Sequence, residues 1–376
     1  MSKPLSPTDK KDYAKDANDK VSDFLSSRVD KIVSTMTNDD EKFVWNSPVF
    51  SVKYMNPISK TIYGLENSLL LSQLAEDKDY SFPFYLTASQ GYANGLSNKG
   101  EKSDFIVNRF GVKLGYMKDK PEPEIARDDE SKAKAVYIPA SKLTPVFNIA
   151  QFTGDLPAAV QKLMDANQPK ATPSELETVY QALLDTMPTP LKRVVGTNHY
   201  RPTEDAIYMN PSNLFKSRLH ETNTLLHEVS HSYGHESRKN RPSLRHYSEG
   251  IEHRAYEELV ANLSAQSVIK HYDLNLDPVT RQELDEGFMQ NHTTYDASWA
   301  KSAYKNNPSE IFRAAKDADR TANTIVHELD QKLVLMLKAN PDLKISEMVK
   351  ERIIAKSAPE IDAPKKTYKK SNYKRK

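Results

Sequence analysis

"LLHEVSHSYGHES", residues 225–237, places three histidines and two glutamates within thirteen positions of a chain that holds only 10 histidines in 376 residues. At that frequency a chance His-Glu-x-x-His arises in roughly two such chains in a hundred, so the run asks for a chemical explanation. On a helix, positions i and i+4 share a face about one turn apart, which lets His227 and His231 turn both imidazoles toward a single ion. Glu228 stands beside the first of them and reaches a water rather than the ion. As a general base it can take that water's proton and hand it to a leaving amine. Gly234 supplies the C-terminal stop of the helix. Set against this are an ordinary polar helix face and a purely structural ion, though a structural zinc usually closes all four positions with protein ligands. His235 follows the stop and reads as an exposed or outer residue, and His220 lies about 10 Å back along the helix, too far to share the ion.

The chain has no cysteine, so disulfides and thiolate zinc sites are excluded, and any metal must use His, Asp or Glu. A third ligand is sought in "HRAYEELVANLSA", residues 253–265, a second helix on which Glu257 and Glu258 are adjacent and only one can face inward. In metalloproteases of the Glu-zincin type the ligand Glu is followed by x-x-small-acid. Glu258-Leu-Val-Ala261-Asn262 is similar to that pattern, with Asn where an acid usually orients a ligand histidine. Glu258 is the choice and Glu257 the alternative. The ion expected is Zn2+, with Mn2+ as another divalent candidate. Tyr233, Tyr247 and Tyr256 are candidates for stabilising an oxyanion, set against packing roles.

Hydrophobic residues make up 38% and charged ones 28%, the composition of a soluble, rather polar protein. A net charge of +2 argues against a uniformly basic nucleic-acid binder and leaves room for a local basic patch. The N-terminus has no apolar core of a signal peptide, and no run of eighteen apolar residues occurs, so no membrane partner and a cytoplasmic location are expected.

Length suggests two or three domains, and the chain reads as α+β with two. Residues 1–37 form a helical or flexible extension: 1–20 look frayed, and apolar residues from Val21 to Val33 recur at helical spacing. The segment 38–156 is one domain, with helices near 66–75 and 87–95 and strands near 104–109 and 111–117. Residues 157–192, broken by Pro169, Pro173, Pro188 and Pro190, form a helical connector. "VVGTNHYRPTEDAIYMNP" (194–211) is a hairpin whose second strand, 206–209, leads into a helix capped near Ser212 and running to Tyr233. Further helices cover 254–271, 281–290 and 308–354, so that 193–355 make the second domain. The tail, 356–376, ends in "KKTYKKSNYKRK" with seven basic side chains and is expected to be disordered.

Four ordered segments together resemble the ArdC antirestriction family, over about residues 40–315. "NPISKTIYGLENSLLL" (56–71), "YLTASQGYANGLSNKGEKSDFIV" (85–107) and "PVFNIAQFTG" (145–154) are similar to its first half. The stretch from Asn198 to Arg241, with "YEELVANLSA", is similar to its zincin-like metallopeptidase half, which is also related to SprT-type proteases. The resemblance implies an N-terminal α+β domain that binds single-stranded DNA with little sequence preference. It also implies a C-terminal zincin-like domain, both carried by a mobile element. It carries His227, His231 and Glu258 over as metal ligands and Glu228 as general base. Asn262 and the polar "VSHSY" depart from the family pattern, and the ion is then held less tightly.

Non-specific single-strand binding needs cations along a groove and aromatic faces for bases. Lys99, Lys102, Arg109 and Lys113 supply the first, interleaved with Phe105, Phe110 and Tyr116. Trp45, Tyr54 and Tyr63 are further stacking candidates, with core packing as the competing role. The expected partners are single-stranded DNA and a protein substrate of the host or bound to DNA. The alternative function is a non-enzymatic DNA-masking protein whose metal is structural.

Overall fold

The computed structural model describes residues 6–28, 31–32, 52–116, 135–165, 171–196, 198–274 and 309–357. Trp45, the side chain of Tyr116, the helix expected at 281–290 and the basic tail lie outside what is described.

Helix α1 (Pro7–Ser26) starts within the segment expected to be frayed. Local chemistry explains it: the Ser6 side chain accepts from Asp9 N–H while Asp9 reaches back to Ser6 N–H, and Pro7 begins the first turn with its φ already helical. Strands β1 (Met55–Asn56) and β2 (Thr61–Ile62) form a small hairpin ahead of helix α2 (Leu65–Asp77). Strand β3 (Tyr85–Leu86) leads into α3 (Ala88–Ala93), which the Thr87 side chain caps.

Strand β4 runs unbroken over Asp104–Tyr116, where two strands were expected, because Gly111 stays in register opposite Pro139. It pairs antiparallel with β5 (Ala135–Asn148), and the sheet order is β3-β5-β4. Helix α1 lies across this hairpin, with Phe24 edge-on to Phe105 at 6.1 Å and Asn18 donating to the Pro139 carbonyl at 3.1 Å.

The expected connector contains α4 (Ala158–Asp165) and α5 (Pro173–Thr186), then a strand absent from the sequence reading, β6 (Leu191–Arg193). It runs parallel to β8 (Ala206–Met209), and β7 (His199–Arg201) pairs with β8 antiparallel. Three residues in a 3₁₀ turn and Asp205 in the left-handed region (φ 44°) close the hairpin. Helices α6 (Arg218–Tyr233), α7 (Pro242–Arg245), α8 (Ile251–His271), α9 (Ser309–Ala339) and α10 (Glu347–Ser357) complete the chain. Among the described residues no helix is long and apolar enough to cross a membrane.

The two halves share a core. Val21 and Leu25 of α1 and Leu65, Leu69 and Leu70 of α2 pack with Leu259, Val260 and Leu263 of α8 and with Ile311, Phe312 and Ala315 of α9. Polar contacts follow the same seam. Asp319 of α9 accepts from Leu65 N–H at 2.8 and 2.9 Å, filling the role of a cap for α2 from 254 residues away. A Cβ on Gly64 would stand 2.7 Å from that carboxylate, so the glycine leaves room for it. Buried Lys53 pairs with Asp273.

Leu69 is 1% exposed at the centre of this seam. Leu69→Ala is expected to lower stability by about 2–5 kcal/mol, through reduced apolar burial and the cavity left behind. Urea unfolding followed by far-ultraviolet circular dichroism checks it.

Candidate metal centre

Helix α6 begins at Arg218, its cap five residues later than expected. Its N-cap is Ser217, whose side chain accepts from His220 N–H at 3.1 Å. Ser212, where the cap was expected, donates its hydroxyl to Glu221 Oε1 at 2.8 Å instead. Tyr180 and Arg193 reach that oxygen too, each at 2.6 Å. Almost the whole of α6 is buried, including Thr222, Ser230 and Ser232. These hydroxyls cost little inside because each donates to a carbonyl of the preceding turn, at 2.7 Å. The helix ends at Tyr233 with Gly234 as C-cap, but Gly234 has an ordinary right-handed φ of −74°. Its lack of a side chain serves another purpose: a Cβ there would lie 2.7 Å from the Arg241 guanidinium.

Helix α8 packs against α6 and brings Glu258 to the two histidines. His231 Nε2 lies 3.0 Å from His227 Nε2, His227 Nε2 is 3.3 Å from Glu258 Oε2, and His231 Nε2 is 3.6 Å from Glu258 Oε1. All three residues are buried, and their ligand atoms lie within 4.8 Å of one another. Two donors each about 2.0–2.1 Å from one tetrahedral ion stand about 3.3 Å apart, so the spacing suits a single metal.

The outward nitrogens are also settled. Glu257 can only accept, so His231 Nδ1 donates to its Oε1 at 3.1 Å, and His227 Nδ1 donates to Asn262 Oδ1 at 2.6 Å. With both Nδ1 atoms protonated, two Nε2 lone pairs and a carboxylate face one another. Such a set calls for a positive charge at its centre. Burial disfavours charge on His231, yet the Glu258 and Glu257 carboxylates push it up to about 10. The donor set therefore fits a divalent cation, and the proton on His231 is what the cation would replace.

Glu257 faces away from the cluster. It is completely buried, which by itself would raise its carboxyl, but Arg241 and the hydrogen bond from His231 hold it down at about 2. Arg241 Nε donates to Oε2 at 2.9 Å, a second arm of the guanidinium reaches Oε1, and Ser243 Oγ donates to Oε2 at 2.6 Å. Arg241 also binds the Ser230 carbonyl of α6 at 2.7 Å and Thr321 of α9 at 3.2 Å. Sequence reading missed Arg241. Its one visible signal was the Gly234 that makes room for it.

Glu228 is 5% exposed beside His227, and among the described residues its carboxylate makes no hydrogen bond or ion pair. Of the three tyrosines, Tyr247 reaches the cluster and donates to Glu258 Oε1 at 2.5 Å. Tyr233 bonds Glu328, and Tyr256 donates to Asp317 at 2.9 Å, both away from it. His235 pairs with Ser237 at 2.8 Å and lies outside the cluster, as does His220, which stands edge-on to Phe215.

The expected DNA-binding cations fall on the other half. Lys99, Lys102 and Lys113 are exposed. Lys102 borders a cleft of about 450 Å³ with Arg28, Lys31 and Lys78, together with Asp77 and Asp104. Arg109 is engaged within the fold: its Nε donates to Glu66 Oε2 at 3.0 Å and its Nη1 to Ser141 at 2.9 Å. Tyr54 and Tyr63 pack in a core cluster with Tyr85 and Leu71, so their rings serve packing. Phe105 is covered by Phe24, and Phe110 has Lys142 Nζ 5.9 Å from its ring centre.

Residues 179–317 match a family described as zincin-like metallopeptidase. The R388 plasmid antirestriction protein ArdC, in its metal-free crystal structure, superposes with a TM-score of 0.57 at 23% identity, covering 82% of this chain and 98% of that one. Its Mn(II)-bound structure gives 0.56 at 23%, covering 81% and 97%. The chain has the α+β fold of that ArdC structure, and its residues 179–317 are similar to the zincin-like metallopeptidase family. Two proteins described as DNA primase TraC from Escherichia coli are each 27% identical, over 278 and 271 residues, or 72% and 71% of this chain. The match spans only 24% and 17% of their own lengths.

Removing Arg241 would leave Glu257 charged and unpaired in the interior. Arg241→Ala is expected to cost about 3–5 kcal/mol. The double variant Arg241→Met/Glu257→Gln should recover part of that loss, as read by thermal unfolding.

Proposed function

We propose that this chain is an ArdC-like antirestriction protein of a mobile element, which binds single-stranded DNA in the cytoplasm and carries a zinc-dependent peptidase site. The observation that carries the peptidase reading is the convergence of His227, His231 and Glu258 beside a buried, uncommitted Glu228. In this reading His227, His231 and Glu258 hold the ion, Zn2+ or another divalent metal such as Mn2+. When bound, the ion supplies Lewis acidity, which polarises a peptide carbonyl and acidifies a water. Glu228 is the general base: its carboxylate accepts the proton and returns it to the departing amine nitrogen. Asn262 and Glu257 fix the tautomer and the aim of the two imidazoles. The substrate is a protein of the host or one bound to the DNA.

The DNA reading is supported by the ArdC fold, by the match to TraC primases and by the exposed Lys99, Lys102 and Lys113. Arg109, braced by Glu66 and Ser141, keeps about 40% of its side chain exposed and adds a fourth cation.

Elemental analysis should find one divalent ion per chain, and His227→Ala/His231→Ala should remove it together with its stabilising effect on thermal unfolding. Glu228→Gln should keep the ion while cleavage of a protein bound to single-stranded DNA falls by roughly a hundredfold or more. If the variant cleaves as the wild type does, Glu228 is not the base. Full protection of incoming DNA by the same variant would favour DNA masking as the protective device.

Affinity for single-stranded DNA should fall as salt rises, since phosphate counterions are released on binding. Alanine at Lys99, Lys102 and Lys113 together should reduce the slope of log K against log salt by about 1 for each phosphate no longer neutralised. A slope unchanged in fluorescence-anisotropy titrations would place the DNA elsewhere on the protein.

A further inference from the structure

The two oxygens of Glu258 are treated differently. Oε1 accepts the hydrogen bond from the Tyr247 phenol at 2.5 Å and stands 3.6 Å from His231 Nε2. Oε2 carries no share of that bond and approaches His227 Nε2 more closely, at 3.3 Å. The phenol is itself held from two sides. Its ring meets the His231 imidazole edge-on, with centroids 6.4 Å apart at 84°. The Arg254 guanidinium, one turn before Glu258 on α8, lies 5.3 Å from the ring centre, where a cation is attracted to the ring face.

A carboxylate that chelates an ion must offer it both oxygens at once. A phenol fixed on one oxygen draws on its electron density and occupies the space on that side. The other oxygen is then the better donor, and the carboxylate ligates through one atom. For this centre the difference matters, because two imidazoles and a chelating carboxylate fill four positions, whereas the same residues with one oxygen fill three. An ion that must accept a substrate needs the fourth position.

We propose that Tyr247 is a positioning residue that holds Glu258 to one-oxygen ligation, its phenol fixed on Oε1 between His231 and Arg254 so that Oε2 alone is presented to the ion. This rests on the reading of His227, His231 and Glu258 as a metal centre. Tyr247 thereby keeps the centre open for substrate, although it comes from the segment between α7 and α8 and belongs to neither ligand helix.

The test uses Co(II) added to the full chain after removal of its metal, with visible absorption reporting coordination number and competition with a chromophoric chelator reporting affinity. Wild type should take up one Co(II) with the strong absorption of a four- or five-coordinate ion. Tyr247→Phe should bind it about 10–100-fold more weakly, the scale for losing an outer partner of a metal ligand. Its absorption should also be weaker, because Glu258 now supplies both oxygens. The thermal midpoint of each metal-free protein is measured alongside. A lowered midpoint with wild-type cobalt spectrum and affinity would show that the phenol merely braces the fold, and the proposal falls. Failure of the wild type to bind Co(II) would overturn the metal-centre reading and this proposal together.

Discussion

A carboxylate with no exposure to water lies at the crossing of four elements. Glu257 is stable there only because Arg241 and Ser243 approach it on one side and His231 on the other. Taking two charges out of water is costly, and their attraction offsets that cost only with good geometry and every remaining donor and acceptor used. Arg241 meets the second condition by also bonding a carbonyl of α6 and a hydroxyl of α9. The pair therefore sets how the segment after Gly234 folds back, how α8 crosses α6 and which way His231 points. The ligand geometry is inherited from it.

The second consequence concerns the relation of the two halves. Helix α2, from the N-terminal half, has its first N–H capped by Asp319 of α9, and its apolar face is shared with α8 and α9. Burial raises Asp319 to about 6, so this contact is itself made at some cost in solvation. Helix α8 thus meets both halves: Glu258 and Asn262 face His227, while Leu259, Val260 and Leu263 pack in the cluster that includes α2. Helices α8 and α9 together join the two halves.

The segments that carry the family resemblance brace the fold. Asn56 donates to Gln90, and Gln90 closes a capping box with Thr87. Asn148 and Gln151 form a second such box, and Gln151 Nε2 donates onward to the Lys102 carbonyl at 2.9 Å. Asn67 pairs both its amide groups with the backbone of Val107. These buried amides satisfy backbone groups that the short strands leave over. In doing so they hold the Lys99–Lys102 turn, with its cations outward, in one place.

What the sequence by itself determined is what depends on neighbours along the chain. The spacing of His227 and His231 on one helix face, the exclusion of thiolate ligands, the adjacency of Glu257 and Glu258, the stop after Tyr233 and the hairpin into β8 all follow from periodicity, composition or turn chemistry. The frayed reading of residues 7–20 missed a capping box that was legible in Ser6 and Asp9, and strand β6 was too short to show a period. Tertiary structure alone decided the rest. Which glutamate faces the histidines depends on the crossing of α6 and α8, fixed by an arginine sixteen residues away. Tyr54 and Tyr63 look the same in sequence as stacking residues do, and only the core around Leu71 assigns them to packing. The pairing of Arg109 with Glu66 and that of Tyr247 with Glu258 join residues whose separation in the chain gives no hint of contact. Charge and hydrogen bonding act over a few ångströms in space, and contacts between residues far apart in the chain leave no period for a sequence to display.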